Sequence, residues 1–181
     1  MKRYLIVLGM QKDYIDGALG CDDAKEIEQK ILKKLDANLE EYAAVYFVKT
    51  LHYENYLDTL AGHKMPVEHC MAETDGARFT SGIDKAIKKL KEKKRFVRIV
   101  VKHTFASTSL TDILSCVTGR DDVIEIVGLY TDDAVISTAL SIRQALPNRQ
   151  IEVDASCCMG TGDRNHNAAC DVMRSCHIDI V

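Results

Sequence analysis

The sequence predicts a three-layer α/β/α fold built around a mostly parallel sheet of about six strands. Short segments rich in β-branched or aromatic residues recur along the chain, and longer stretches with helical periodicity separate most of them. Alternation of this kind is typical of a parallel sheet that carries helices on both faces. The 181 residues contain no linker, repeat or low-complexity segment, so we expect a single domain over residues 1–181.

The predicted strands are nearly continuous apolar runs, the pattern of strands that are buried on both faces of a sheet. They cover residues 3–8, 44–49, 96–101, 123–128 and 150–155, with a weaker sixth strand at 176–181. Apolar residues three or four apart predict helices at about 22–38, 82–93, 132–146 and 164–175. Residues 51–80 lack a clear periodicity and are expected to form a long excursion. In an open parallel sheet the ligand crevice lies at the carboxyl ends of the strands, so the loops that leave the first four strands should meet there.

Composition argues against several classes of function. The net charge of -3 and the pI of about 6.1 disfavour a nucleic acid or an anionic membrane surface as the main partner. No apolar run reaches membrane-spanning length, and the first ten residues do not resemble a signal peptide. The seven cysteines form no Cys-x-x-Cys pair, which disfavours a structural zinc site. We therefore expect a cytoplasmic protein with reduced thiols.

Five segments, in this order along the chain, carry a resemblance to a known family. They are YLIVLGMQKDYIDGALG (4–20), HYENYLDTLAGHKMPVEHCMAETDGA (52–77), VKHTFAST (101–108), VGLYTDDAVISTA (127–139) and VDASCCMGTGDRNHNAACDVM (153–173). The chain resembles the isochorismatase-like cysteine hydrolases, the superfamily that includes nicotinamidases. This resemblance implies a Rossmann-like arrangement of the predicted sheet and a site built from all five segments.

The family hydrolyses small amides with an aspartate, a lysine and a cysteine, and backbone N–H groups hold the oxyanion. The resemblance places the aspartate position at Gly9 and the cysteine position at Ala134, whereas the lysine is retained as Lys102. Two of the three catalytic groups are therefore missing. The resemblance also implies a cis peptide bond between Leu129 and Tyr130 in the oxyanion loop.

The same resemblance implies that Gly9, Lys102 and Ala134 converge on one crevice, with Gln11, Phe105 and Thr131 available to a ligand. Because Gly9 removes the carboxylate that would balance Lys102, we expect a positive potential that favours a small carboxylate or a similar anion. The alternative is that Lys102 is a surface lysine with no ligand, and the sequence leaves both interpretations open.

Other side chains are weak candidates to replace the missing groups. Asp13 has its own place in the first motif, four residues after Gly9. Asp133 adjoins Ala134, but on an α-helix its side chain should point about 100° away. Cys157 and Cys158 follow the fifth predicted strand, and buried cysteines are more often core residues than nucleophiles.

A metal site is also expected to be incomplete. Nicotinamidases bind a divalent metal through an Asp-x-His pair and further histidines, but here Thr50 stands in place of that aspartate. His52, Asp58 and His69 would be chemically acceptable ligands for zinc. A convincing site needs more ligands, so we expect these groups to brace the loop and expect no metal or other cofactor.

Two functions remain open after these considerations. The first is a pseudoenzyme that has lost amide hydrolysis and acts as a small-anion-binding or regulatory module, as a homo-oligomer or in complex with an intact paralogue. The second is a hydrolase of a small amide or related metabolite, with altered chemistry based on Lys102 and the oxyanion-hole backbone.

Overall fold

The computed structural model describes residues 1–181 and contains one six-stranded sheet in which all neighbouring strands are parallel. The strands are β1 (Arg3–Leu8), β2 (Tyr42–Thr50), β3 (Phe96–Lys102), β4 (Val123–Leu129), β5 (Gln150–Met159) and β6 (Asp179–Ile180). Their spatial order is β3-β2-β1-β4-β5-β6. The strand order reverses between β1 and β4, and a crevice is expected at the carboxyl ends of those two strands.

Seven α-helices connect the strands. They are α1 (Lys12–Ile15), α2 (Asp22–Ala37), α3 (Leu60–Lys64), α4 (Ser81–Glu92), α5 (Thr108–Val117), α6 (Ile136–Ala145) and α7 (Asp163–Ser175). The four helices predicted from periodicity are present, whereas α1, α3 and α5 were not predicted. The sequence did carry a signal for α5, namely a serine, Ser107, before two leucines four residues apart. In the structure Ser107 caps the helix by accepting a hydrogen bond from the Leu110 N–H, and Leu110 and Leu114 are buried.

The sheet separates two hydrophobic clusters of 21 buried residues each. One cluster packs β1 and β2 against α2 and α4, and the other packs the opposite face against α5, α6 and α7. Successive residues of β1 enter the two clusters in turn, as the alternation of side chains along a strand requires. The predicted three-layer α/β/α fold is therefore confirmed.

The burial of β3 differs from the prediction. Its side chains were expected to be buried on both faces, but Phe96 and Ile99 are 55% and 45% exposed. The reason is that β3 lies at the edge of the sheet, and an apolar run in the sequence does not reveal where a strand lies in the strand order.

The helix predicted at 132–146 begins with a distinct turn. Thr131–Val135 is a π-helical turn, in which the Val135 N–H donates to the Tyr130 carbonyl five residues earlier, and α6 follows from Ile136. This wider turn changes the direction in which its side chains point. No helix of the protein is both long and apolar enough to cross a membrane.

Candidate functional site

The loops after β1 and β4 approach each other closely at the switch point of the sheet. Gly9 follows β1 with φ of +69°, and a Cβ atom there would lie 2.6 Å from the carbonyl oxygen of Leu129. This carbonyl belongs to the peptide bond between Leu129 and Tyr130, which is cis. A side chain at Gly9 would therefore require both an unfavourable backbone conformation and a shift of the loop after β4.

Lys102, at the end of β3, is a buried lysine and not a surface lysine. It is 5% exposed, and its ammonium donates a hydrogen bond to the Thr104 carbonyl at 2.9 Å. Burial lowers the pKa of Lys102, while the charges of Asp133 and Cys70 oppose that shift. The lysine therefore has a carboxylate in its surroundings even though Gly9 provides none.

That carboxylate is Asp133, which adjoins Ala134 on the turn after β4. Burial raises the pKa of Asp133, and the neighbouring Lys102 lowers it. Its Oδ1 atom is buried and has no hydrogen-bond partner, and the residue lines a cavity. The expectation that this side chain points away assumed an α-helix, but it lies on the π-helical turn Thr131–Val135.

This cavity, which we call the cleft, has a volume of about 520 Å³ and lies among the loops that follow β1, β4 and β5. The rings of Tyr14 and Tyr130 form part of its wall, with their centroids 5.8 Å apart and their planes at 82°. Three aspartates also line it, Asp23, Asp133 and Asp163, together with His166. Gly9, Lys102 and Ala134 are not in this wall, which contains no lysine or arginine. The positive potential expected from the sequence is therefore not what the open cavity presents.

We call the π-helical turn Thr131–Val135 the elbow. Hydrogen bonds tie it to the loop after β5 and to α7. Asp132 accepts a hydrogen bond from the Thr161 N–H at 2.8 Å and another from the Thr161 hydroxyl. The Thr131 hydroxyl lies 2.8 Å from Nδ1 of His166. Thr131 and Asp132 on the turn thus have hydrogen-bond partners, whereas Oδ1 of Asp133 has none.

The three residues expected to bind a ligand are not brought together. Gln11 is completely buried: its amide nitrogen donates to the carbonyls of Thr50 and Ala77, and its oxygen accepts from the Thr50 N–H. Thr131 is buried with its hydroxyl bound to His166. Phe105 is 60% exposed on the loop after β3 and does not line the cavity. Gln11 acts as a structural bridge, because all its donors are already used within the protein.

The histidines in the excursion after β2 do not form a zinc site. His52 and His69 lie together with their ring centroids 4.8 Å apart, and Nδ1 of His69 donates to the Val67 carbonyl. Burial, followed by the charges of His69, Lys102 and His103, lowers the pKa of His52 to about 4. No group of three or more His, Cys, Asp or Glu side chains is arranged to hold a metal ion, and Asp58 does not complete one. The donor set therefore does not fit zinc, which requires about four ligands.

The chain belongs to the isochorismatase domain family, because the sequence profile of that domain matches residues 3–181. Nicotinamidase/pyrazinamidase from Bacillus subtilis has a similar structure, with a TM-score of 0.84, 22% identity and 100% of both chains covered. N-carbamoylsarcosine amidase from Thermoplasma acidophilum gives 0.75 at 20% identity, covering 99% of this chain and 95% of that one.

The yeast nicotinamidase bound to the inhibitor nicotinaldehyde is also similar, with a TM-score of 0.81, 18% identity and 99% of both chains covered. At these identities the likeness establishes the fold alone. No curated protein sequence matches the chain significantly. The match of the family profile to residues 3–181 confirms the family predicted from the five ordered motifs.

Proposed function

We propose that this member of the isochorismatase family has lost thiol-dependent amide hydrolysis and uses the cleft beside the elbow to bind a small molecule. The observation that carries the proposal is Ala134, which is buried on the turn after β4 and offers only a methyl group where the resemblance places the nucleophile. Gly9 supplies no base, and the backbone of Leu129 occupies the space that a side chain there would need.

Three buried cysteines, Cys70, Cys157 and Cys158, do not compensate. Burial raises the pKa of Cys70 to about 12 and the pKa of Cys157 to about 11. Cys158 lines the cavity, but burial also raises the pKa of its thiol strongly. Since the thiolate is the attacking form, all three are poor nucleophiles at neutral pH.

The cleft nevertheless supports binding. Its volume lies in the range of small-molecule pockets, and its wall combines aromatic and apolar side chains with a few polar groups. Nicotinaldehyde is the inhibitor bound to the yeast relative, and a ligand of one or two rings suits the cavity beside Tyr14 and Tyr130.

The proposal is tested by ammonia release from nicotinamide and related small amides, with and without prior alkylation by iodoacetamide. We expect no turnover in either sample, because loss of a nucleophile removes several orders of magnitude in rate. Ala134→Cys is the matched control, and we expect it to remain inactive because Gly9 supplies no base. Turnover of the unmodified protein that alkylation abolishes would contradict the proposal. Native mass spectrometry of the purified protein tests directly for a retained small molecule.

A second candidate function is hydrolysis without a thiol, and the position of Asp133 favours it. Asp133 would accept a proton from water as the water oxygen attacks the amide carbonyl, and the departing amine would take that proton. Lys102 would favour the ionised form of the carboxylate against the effect of burial, and the backbone N–H groups of the elbow would face the oxyanion. Turnover that survives alkylation but is lost in Asp133→Asn would establish this candidate in place of the first.

The remaining expectations stay predictions. They are a single domain over residues 1–181, a cytoplasmic location, and assembly as a homo-oligomer or with an intact paralogue. Light scattering coupled to size-exclusion chromatography measures the state of the purified chain, and affinity capture with candidate paralogues measures the complex.

A further inference from the structure

We infer that the cleft selects a small organic cation, whose charged nitrogen pairs with the carboxylate of Asp133. This inference rests on the proposed function, since it specifies the ligand of the same cleft. It replaces the small anion expected from the sequence with a ligand of opposite charge.

The first observation is the unsatisfied oxygen of Asp133. Four buried side-chain atoms of the protein lack a hydrogen-bond partner: Arg95 Nε, Asp133 Oδ1, Thr138 Oγ1 and Arg143 Nε. Asp133 is the only one of these four residues that lines the cavity. A buried carboxylate oxygen without a donor is costly, and native proteins rarely leave one. Because the residue lines the cavity, a cationic ligand there can pair with its carboxylate and offset this cost.

Two neighbouring aspartates differ from Asp133 because both have hydrogen-bond donors within the protein. Asp132 receives two hydrogen bonds from Thr161, one to each carboxylate oxygen. Asp13 accepts from the backbone N–H groups of Cys70 and Ala18. Asp132 and Asp13 thus have donors within the protein, whereas the enclosed Oδ1 of Asp133 has none.

The charge of the wall also favours a cation. Asp23, Asp133 and Asp163 contribute three carboxylates, and His166 is the only basic side chain in the wall. Lys102 opposes a second positive charge, but its ammonium donates to the Thr104 carbonyl and the residue does not line the cavity. The carboxylates of the wall therefore outnumber the nearby cations, and the field inside the cavity favours positive ligands.

The aromatic part of the wall suits the same ligand. The Tyr14 hydroxyl donates to Oγ1 of Thr50, and the Tyr130 hydroxyl donates to the Leu19 carbonyl. Because both hydroxyls are engaged elsewhere, the two residues offer mainly their rings to the cavity. Aromatic rings attract cations and pack well against flat apolar groups. The site therefore fits a compact molecule with an apolar body and a cationic nitrogen.

The inference is tested with benzamidine, benzamide and benzoate, which share one ring and a similar size but carry charges of about +1, 0 and -1 at neutral pH. Isothermal titration calorimetry measures their affinities for the wild-type protein, for Asp133→Asn, and for the control Asp163→Asn, which alters an exposed carboxylate of the same wall. We expect benzamidine to bind wild type most tightly and benzoate most weakly. Asp133→Asn should weaken benzamidine about tenfold or more, whereas Asp163→Asn should weaken it only about twofold.

Four results would overturn the inference: benzoate binding most tightly, benzamide binding at least as tightly as benzamidine, no binding by any of the three probes, or equal benzamidine affinity of wild type and Asp133→Asn. The wild-type ranking is informative even if the variant fails to fold, which circular dichroism would reveal. Benzamide binding at least as tightly as benzamidine would refute the charge preference while leaving the cleft as a ligand site. Thiol-dependent turnover would instead refute the proposed function, so the two failures are distinguishable.

Discussion

Two groups of charged residues, one towards each end of the sheet, differ in how completely their charges are paired. On the α2 side, near the amino ends of the strands, Glu125 is contacted by Arg3 at 2.9 Å and by Lys34 at 2.5 Å. Arg3 also contacts Glu152, and Lys34 also contacts Asp154 at 2.9 Å. We call these five residues the α2-side network, and in it each carboxylate faces a cation.

The cleft at the carboxyl ends of the strands is different. Lys102 donates to a carbonyl, and one oxygen of Asp133 has no partner. Burial of charge is costly in both places, but the α2-side network offsets it with direct ion pairs, whereas Oδ1 of Asp133 has no hydrogen-bond partner. The difference indicates that the α2-side network stabilises the fold, whereas the cleft retains an incompletely satisfied charge that a ligand can complete.

The largest expected effect comes from removing a cation of the α2-side network. Lys34→Met leaves Asp154 without its lysine partner and Glu125 with Arg3 as its one ion-pair partner, beside the hydrogen bond from the Tyr42 hydroxyl. We expect a loss of about 3 kcal/mol in the free energy of unfolding, measured by urea denaturation. The control is Lys25→Met, which breaks an exposed ion pair with Asp22 and should leave the free energy of unfolding nearly unchanged. Equal losses in the two variants would show that the network contributes no more than a surface pair.

Substitution of a charged residue at the cleft is expected to raise the free energy of unfolding instead of lowering it. Because the pKa of Asp133 is raised in the folded protein, ionisation of this carboxyl opposes folding above the usual carboxyl pKa. Asp133→Asn should therefore stabilise the ligand-free protein by about 1 kcal/mol at pH 7. The gain should disappear as the pH falls below the usual carboxyl pKa, where Asp133 is protonated in both states. Glu125→Gln is the matched variant of the α2-side network, and it should destabilise the protein at pH 7. Destabilisation by Asp133→Asn of similar size would remove the contrast between the two regions.

The smallest effect concerns His52, which lies in the excursion after β2 and is affected by the charge of Lys102. Burial and neighbouring positive groups lower its pKa to about 4, so the unfolded chain binds a proton at higher pH than the folded protein does. Stability should therefore fall as the pH drops from about 6.5 to about 4, by on the order of 1 kcal/mol or less because His52 is partly exposed. His52→Gln should remove this part of the pH dependence, which thermal melts across the range would measure. An unchanged slope would assign the dependence to other groups.

The amino-acid sequence alone was sufficient for the architecture and the family. Apolar runs separated by amphipathic stretches predict a parallel sheet between helical layers, since burial on both faces requires that pattern. The five motifs identify the family because they occur in one order over nearly the whole chain. That Gly9 and Ala134 stand at catalytic positions of the family stays a prediction from the resemblance.

The tertiary structure decided which polar groups face the cavity. Gln11 looked available in sequence, but two loops close around it and use its whole amide. Asp133 looked turned away, but the π-helical turn places it in the cavity wall with Lys102 nearby. Side-chain direction depends on how loops far apart in sequence pack against one another, and helical periodicity carries no information about that packing.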